Sequence, residues 1–334
     1  MTTPSKEHNP EARQQQPAGM DRRDFIAKSA AVGAGAALVA GAVSQASAQE
    51  AEAEGTSSMD WRTAKPGKRD SAMYTEQVGY EGKDQVNHWP GRGISGAMIG
   101  LVQINSYTGS IPMAPGNMGN ATTFDFPLLY RPMDAEDLFD IMALTPKADF
   151  TDRIVDAAKW LELQGVRAII GNCGFFGTYQ NVVQDRIDTP FFSSSLMQLP
   201  MMLRSMPRDK KVGVVTANSK LLGKCPAIEN CGLSLEDKAN RIVIAGCQDD
   251  PEFENILNIT GKLNMGGIEK ATVNGALSAL KKDPNIGAIL LECTELAPHA
   301  QAVQEAVRLP VWDYTTLTTW VYSGCLRRPF TGAI

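Results

Sequence analysis

Arg167-Ala168-Ile169-Ile170-Gly171-Asn172-Cys173-Gly174 and Gly287-Ala288-Ile289-Leu290-Leu291-Glu292-Cys293-Thr294 rhyme with each other. Each is an apolar, β-branched run of strand length that delivers a cysteine to its C-terminal end. In open α/β sheets ligands bind outside the carboxyl ends of the strands. Two thiols presented this way predict a paired acid–base site, one sulfur on each side of a substrate carbon.

The likeness extends on both sides of the cysteines. Ala97–Asn105 precedes the first run and Lys211–Asn218 the second; Thr189–Ser195 and Leu309–Thr315 follow them. Phe192 stands 19 residues after Cys173, and Trp312 the same 19 after Cys293. Matched blocks in one order predict two halves related by duplication. Strands alternate with helical patterns: Asp152–Leu161 closed by Gly165, a Met- and Leu-rich stretch at 196–206, and segments near 266–282 and 299–307. The predicted fold is α/β, with two pseudo-symmetric, doubly wound, flavodoxin-like lobes of parallel sheet and the site in the cleft between them. Residues 94–208 with 309–334 are expected to form the first lobe, and 209–308 the second. The strand pattern at 97–105 is followed by a Pro/Gly/Asn-rich loop near 108–120 and then by helices.

The first 48 residues read as an address. Asp21-Arg22-Arg23-Asp24-Phe25 carries twin arginines, a weakly apolar Ala/Gly/Val run follows to Val43, and Ala46-Ser47-Ala48 supplies a small-x-small cleavage site. The apolar run is too short and too rich in Ala and Gly to span a bilayer comfortably. The expectation is a removed twin-arginine signal, dependence on the twin-arginine export machinery, a periplasmic location, and no membrane attachment after cleavage. Residues 49–93 are polar and read as an arm or linker. Tyr74, Tyr80 and Trp89 give that arm a means of packing on the body or on a second copy, so a homo-oligomer is compatible with the chain.

The chain carries 32 basic and 37 acidic residues, for a net charge of −5. A mildly acidic chain without a basic stripe argues against nucleic acid as a partner. The three histidines lie far apart in sequence, and no CxxC or HxxxH spacing occurs, which argues against a metal site. No strand is followed by a phosphate-binding glycine pattern, so no nucleotide cofactor is expected. His299 reads as a surface residue at a helix start. Of the six cysteines, Cys225 and Cys231 are the better-placed pair for a disulfide, Cys247 reads as a buried small apolar residue, and Cys325 carries no distinct signal.

A free thiol has a pKa of about 8.5 and needs help to become a base near neutrality. The residues after each cysteine are expected to start a helix whose positive dipole end favours thiolate. Thr216, Asn218, Ser194, Ser195 and Thr294 lie at strand ends, where hydroxyls and amides can cradle a substrate carboxylate. Each of them is equally a natural helix cap.

At these residues the chain resembles the aspartate/glutamate/hydantoin racemase superfamily, through Thr216-Ala217-Asn218 and Cys293-Thr294-Glu295. It is most similar to the algal Alma-type dimethylsulfoniopropionate lyases. That likeness rests on Gly171-Asn172-Cys173-Gly174-Phe175, Ser194–Pro200, Thr216–Leu221, Gly246-Cys247-Gln248-Asp249 and Glu292-Cys293-Thr294-Glu295-Leu296, and runs from about Ile99 to Asp313. The resemblance implies cofactor-independent chemistry on a small carboxylate. A thiolate removes the proton α to the carboxylate, dimethyl sulfide leaves the β carbon, and acrylate remains, with Cys173 and Cys293 as the catalytic pair. A sulfonium cation suits aromatic faces, for which Tyr107, Tyr130, Phe175 and Phe176 are candidates, and acidic partners, for which Glu292 and Glu295 are. Asn172 and Asn117 stand where the resemblance leads one to expect acidic residues. Two other functions fit the same pattern: an amino-acid racemase or isomerase using the cysteines as opposed acid and base, and a periplasmic binding protein for a small acid.

Overall fold

The two rhyming runs become strands at equivalent positions of two sheets. In the computed structural model, which describes residues 94–105, 113–134, 141–258, 260–327, 330 and 332, eight strands appear. They are β1 Ile99–Asn105, β2 Leu128–Asp134, β3 Ala168–Gly171, β4 Phe191–Phe192, β5 Lys211–Thr216, β6 Ile242–Gly246, β7 Ile286–Leu291 and β8 Val311–Trp312. One sheet has the order β2-β1-β3-β4 and the other β6-β5-β7-β8, and every pairing is parallel. The two orders are the same order used twice, which is the start of the flavodoxin-like arrangement. The leader, the arm and Tyr107 lie outside the described residues.

Alternation along the strands explains why both faces of each sheet are covered. In the first sheet Ile99, Leu101, Ala168 and Ile170 point to one core, and Val102 and Ile169 to another. The second core takes Ile154, Val155, Ala158 and Leu161 from one stripe of the helix Ala148–Leu163. The first core is closed by Leu317 and Val321 of the last helix, Tyr314–Cys325, capped by Asp313 and Thr316. In the second sheet Val215, Ile289 and Leu291 pack on Ile268, Ala271, Ala276 and Ala279 of the helix Met265–Lys282, whose cap is Asn264.

The core that holds Val102 and Ile169 does not stop at the first sheet. Val212, Val214, Ala288 and Leu290 of the second sheet belong to it too, with Phe175, Phe176, Tyr179, Leu196 and Met202 filling the space between. The halves are therefore joined by continuous apolar packing at the level of the cysteines.

Two expectations need correction. Leu128–Asp134 is a strand, not helix; Pro132 and Arg131 obscured it, and an edge position tolerates the missing proline donor. Val311–Trp312 pairs with β7 in the second sheet, so the boundary expected at 309 falls after the strand. The helix that follows packs on the first sheet.

Candidate active site

Each of β3 and β7 ends two residues before its cysteine. Cys173 is extended (φ −141°, ψ 136°) and leads into a 3₁₀ helix, Gly174–Tyr179. Cys293 opens a turn in which the Leu296 amide donates to the Cys293 carbonyl at 3.1 Å, ahead of a 3₁₀ turn at 297–299 and the helix Ala300–Val307. No α-helix starts at either sulfur, which corrects the expectation that a helix dipole poises them. Burial instead pushes both thiols well up, and the charges of Glu292 and Glu295 add to the effect on each. The amides of Phe175 and Phe176 at Cys173, and of Glu295 at Cys293, act the other way without prevailing. Charge on Cys173 also raises Cys293. Both cysteines and both glutamates thus share one electrostatic neighbourhood drawn from two lobes.

Glu292 is its centre. The side chain is fully buried, and its carboxyl lies against the α-carbon of Gly174, where a side chain on residue 174 would stand. Oε2 accepts from the Thr216 hydroxyl at 2.7 Å, with the Ala217 amide also favouring the charged form. Oε1 has no hydrogen-bond partner among the described residues. Burial carries its pKa up to about 7. Glu295, half-buried, is likewise pushed up to about 7, with the side chain of Asn117 acting to lower it. Asn117 is buried on the 113–126 loop of the first lobe, its Oδ1 accepting from the Gly119 amide at 2.8 Å, and neighbouring Gly116 packs on Pro298 of the second. At 117, where the resemblance leads one to expect an acid, this chain has an amide that faces one.

The expected carboxylate cradle is mostly occupied by structural work. Thr216 donates to Glu292, and its oxygen accepts from the Asn218 amide at 3.3 Å. Asn218 caps the short helix Ser219–Leu222 by accepting from Leu221 at 3.1 Å, and Ser194 caps the 3₁₀ turn 195–198 by accepting from Leu196 at 3.2 Å. Ser195 donates across the lobes to the carbonyls of Leu291 at 3.0 Å and Glu292 at 3.3 Å, holding the backbone just before Cys293. Thr294 is buried beside Cys293. The capping reading therefore prevails for Ser194 and Asn218.

Tyr130 is not brought to the thiols. It lies on the edge strand β2, opposite Leu101 and two strands away from β3, and packs beside the core under the last helix. Phe175 and Phe176 pack in the core shared by the two sheets, at 2% and 0% exposure. Asn172 accepts from the Ile104 amide at 3.0 Å and ties β3 to β1. His299 is buried, not at the surface, with Nδ1 3.6 Å from Glu269. Cys225 and Cys231 are free, buried thiols, and burial pushes Cys231 up to about 12. Cys247 is buried as expected.

Tyr314 is the residue that sequence reading passed over. It is fully buried at the start of the last helix, with its hydroxyl beside Ser194 and under the influence of Cys173, Glu292 and Cys293. That hydroxyl has no partner within hydrogen-bonding geometry among the described residues. The duplication held the signal: Tyr314 follows Cys293 at the offset at which Ser194, already a candidate, follows Cys173. Glu292 and Asn172 are a second such pair, acidic in one half and neutral in the other.

The chain is similar to known dimethylsulfoniopropionate lyases. It is 32% identical over 224 residues to dimethylsulfoniopropionate lyase 3 of Emiliania huxleyi (strain CCMP1516), covering 65% of this chain and 58% of that protein. It is 33% identical over 211 residues to lyase 7 of the same strain, covering 61% of each. Against the lyase of Durusdinium sp. clade D it is 27% identical over 239 residues, 71% of this chain and 77% of the relative. The chain thus spans less than two thirds of the Emiliania relatives it matches first. The resemblance read from the cysteine segments is borne out. No family model matches. Among solved structures, unliganded arylmalonate decarboxylase aligns with a TM-score of 0.44 at 14% identity over 70% of this chain and 94% of that one. Glutamate racemase RacE1 of Bacillus anthracis aligns with a TM-score of 0.45 at 12% identity over 69% and 84%.

Proposed function

We propose that this chain is a carbon–sulfur lyase that splits dimethylsulfoniopropionate into dimethyl sulfide and acrylate without a cofactor, with Cys173 and Cys293 as its catalytic pair. One observation carries the reading: two strand-end cysteines from duplicated lobes share a buried acidic neighbourhood, in a chain similar to lyases of that substrate. A thiolate takes the proton from the carbon next to the carboxylate. The electron pair of that C–H bond becomes the new C=C bond, and the C–S bond breaks with its pair leaving on sulfur. The proton rests on the cysteine and returns to solvent, so atoms and charge balance without an external oxidant or reductant.

The raised thiols fit this chemistry only if something lowers them at the moment of need. Burial, with the charges of Glu292 and Glu295 added to it, holds both sulfurs protonated. A sulfonium cation beside those carboxylates offsets their charge, and opposite charge within a few ångströms lowers a thiol.

Residues 1–48 we read as a twin-arginine leader and the working enzyme as periplasmic, supported by Arg22-Arg23 and Ala46-Ser47-Ala48.

The deciding assay supplies dimethylsulfoniopropionate to purified protein and measures dimethyl sulfide in the headspace. Release by wild type, falling at least ~100-fold in Cys293→Ala and in Cys173→Ala, is the expected result for removal of a general base or its partner. No release, with deuterium exchange at the α-carbon of an amino acid, would transfer the site to the racemase reading.

A further inference from the structure

Burying a polar side-chain atom without a partner is costly, and native folds rarely do it outside sites that receive a ligand or water. Among the described residues the candidate site holds three such atoms: Asn117 Nδ2, which faces Glu295, and a pair on fully buried side chains, Glu292 Oε1 and the Tyr314 hydroxyl. That pair comes from the end of β7 and the start of the last helix. The 195–198 turn holds both segments, Ser195 donating to the Leu291 and Glu292 carbonyls and Gln198 to the Asp313 carbonyl at 2.9 Å, so the end of β7 and the start of the last helix meet on one turn, where Tyr314 and both thiols share the charge of Glu292. The two members of the pair are chemically opposite. A carboxylate oxygen accepts or attracts positive charge; a phenol whose ionisation is suppressed by burial stays a donor.

We propose that Glu292 and Tyr314 read the two ends of a zwitterionic substrate, the free carboxylate oxygen of Glu292 facing its cationic centre and the Tyr314 hydroxyl donating to its carboxylate. Three observations support the division. Glu292 is held by Thr216 through its other oxygen at 2.7 Å, and its free oxygen lies against Gly174, the residue after Cys173. Of the residues first expected to cradle the carboxylate, Ser194 and Asn218 cap, Ser195 ties the lobes and Thr216 donates to Glu292, while the Tyr314 hydroxyl is a buried donor with no partner among the described residues. Among the described residues no basic side chain is an influence on Glu292 or Glu295, so a second negative charge on a substrate would meet two glutamates there. The site therefore selects a monocarboxylate with an onium group and rejects dicarboxylates. The duplication sharpens the point: the counterpart of Glu292 is the neutral Asn172, consumed by the Ile104 amide, so the acid sits on one side only.

The inference deepens the lyase reading and rests on it for the location of the site, but its test needs no turnover. The probes are 3-(trimethylammonio)propanoate, whose leaving group is poor, and its neutral isostere 4,4-dimethylpentanoate; a third is the dicarboxylate glutarate. Binding to the full chain is measured by titration calorimetry. Wild type is expected to bind the ammonium compound at least ~10-fold more tightly than the isostere, in line with a desolvated cation beside a carboxylate, and to bind glutarate weakest. Glu292→Gln should collapse the ratio between the isosteres towards one. Tyr314→Phe should weaken both by a similar factor and leave the ratio in place, which a merely structural loss at Glu292 would not mimic. Equal binding of the two isosteres by wild type overturns the proposal without any variant. So does an unchanged ratio in Glu292→Gln, or a Tyr314→Phe effect confined to the cation. Dimethyl sulfide release without isostere preference would leave the lyase and remove this inference; preference without release would do the reverse.

Discussion

The carboxyl group of Glu292, one residue before Cys293, rests against the α-carbon of Gly174, one residue after Cys173. The two cysteine segments meet at that contact, and it exists because residue 174 has no side chain. A buried acid from the second lobe occupies the space, and through it the two cysteines come under one charge.

Gly174→Ala is accordingly a test of site assembly. The added methyl would overlap the Glu292 carboxyl, which is tied to Thr216 and surrounded by core. Overpacking of this kind costs about 1–3 kcal/mol. We expect a lower denaturation midpoint and at least ~10-fold lower kcat/KM, because Glu292 must move to admit the methyl. Wild-type activity and stability in this variant would show that the contact is dispensable.

The pH dependence of stability should carry the mark of Glu292. Its pKa in the fold is about 7 against an ordinary 4.5, so folding takes up a proton between those values. The stabilisation is complete below about pH 4.5 and is lost as pH rises through about 7, by at most about 3 kcal/mol. Urea midpoints at pH 5 and pH 8 should differ in that direction, and Glu292→Gln should flatten the difference. An equal slope in the variant would assign the dependence elsewhere, Glu295 first.

Ser195 ties the first lobe to the carbonyls of Leu291 and Glu292. Ser195→Ala removes that donor and should cost about 1–2 kcal/mol in a denaturant titration. Because the tie precedes Cys293, kcat should fall more than KM changes. A stability loss with unaltered kcat would limit Ser195 to holding the lobes together.

The leader is tested at its own residues. Periplasmic protein from a twin-arginine-competent host should begin at Gln49 by N-terminal sequencing, and an Arg22→Lys/Arg23→Lys variant should stay in the cytoplasm. Wild-type protein retained there at full length would refute the assignment.

Much of the fold was legible because its signals are local. Buried parallel strands need uninterrupted apolar runs, and the blocks around Cys173 and Cys293 supplied them twice in one order. The helix Ala148–Leu163 announced itself by spacing and by Gly165. β2 did not, because an edge strand can carry Arg131 and Pro132 and lose the pattern that marks a central one. Cys293 also misled: a strand-end cysteine before Thr-Glu-Leu reads as a helix start, yet the chain makes a turn there first.

The hydroxyl and amide candidates show the limit most clearly. Ser, Thr and Asn at strand ends can cap a helix or hold a ligand, and residue type does not distinguish the two. Asn218 and Ser194 turned out to cap, and Thr216 to orient Glu292.

Residue order alone determined the duplicated lobes, the two thiols at equivalent strand ends and the likeness to sulfonium lyases, since each is written in short-range pattern. Tertiary packing decided which side chains surround those thiols. Glu292, Gly174 and Tyr314 are far apart along the chain, and whether a buried polar atom is satisfied or left waiting depends on what the rest of the fold brings against it.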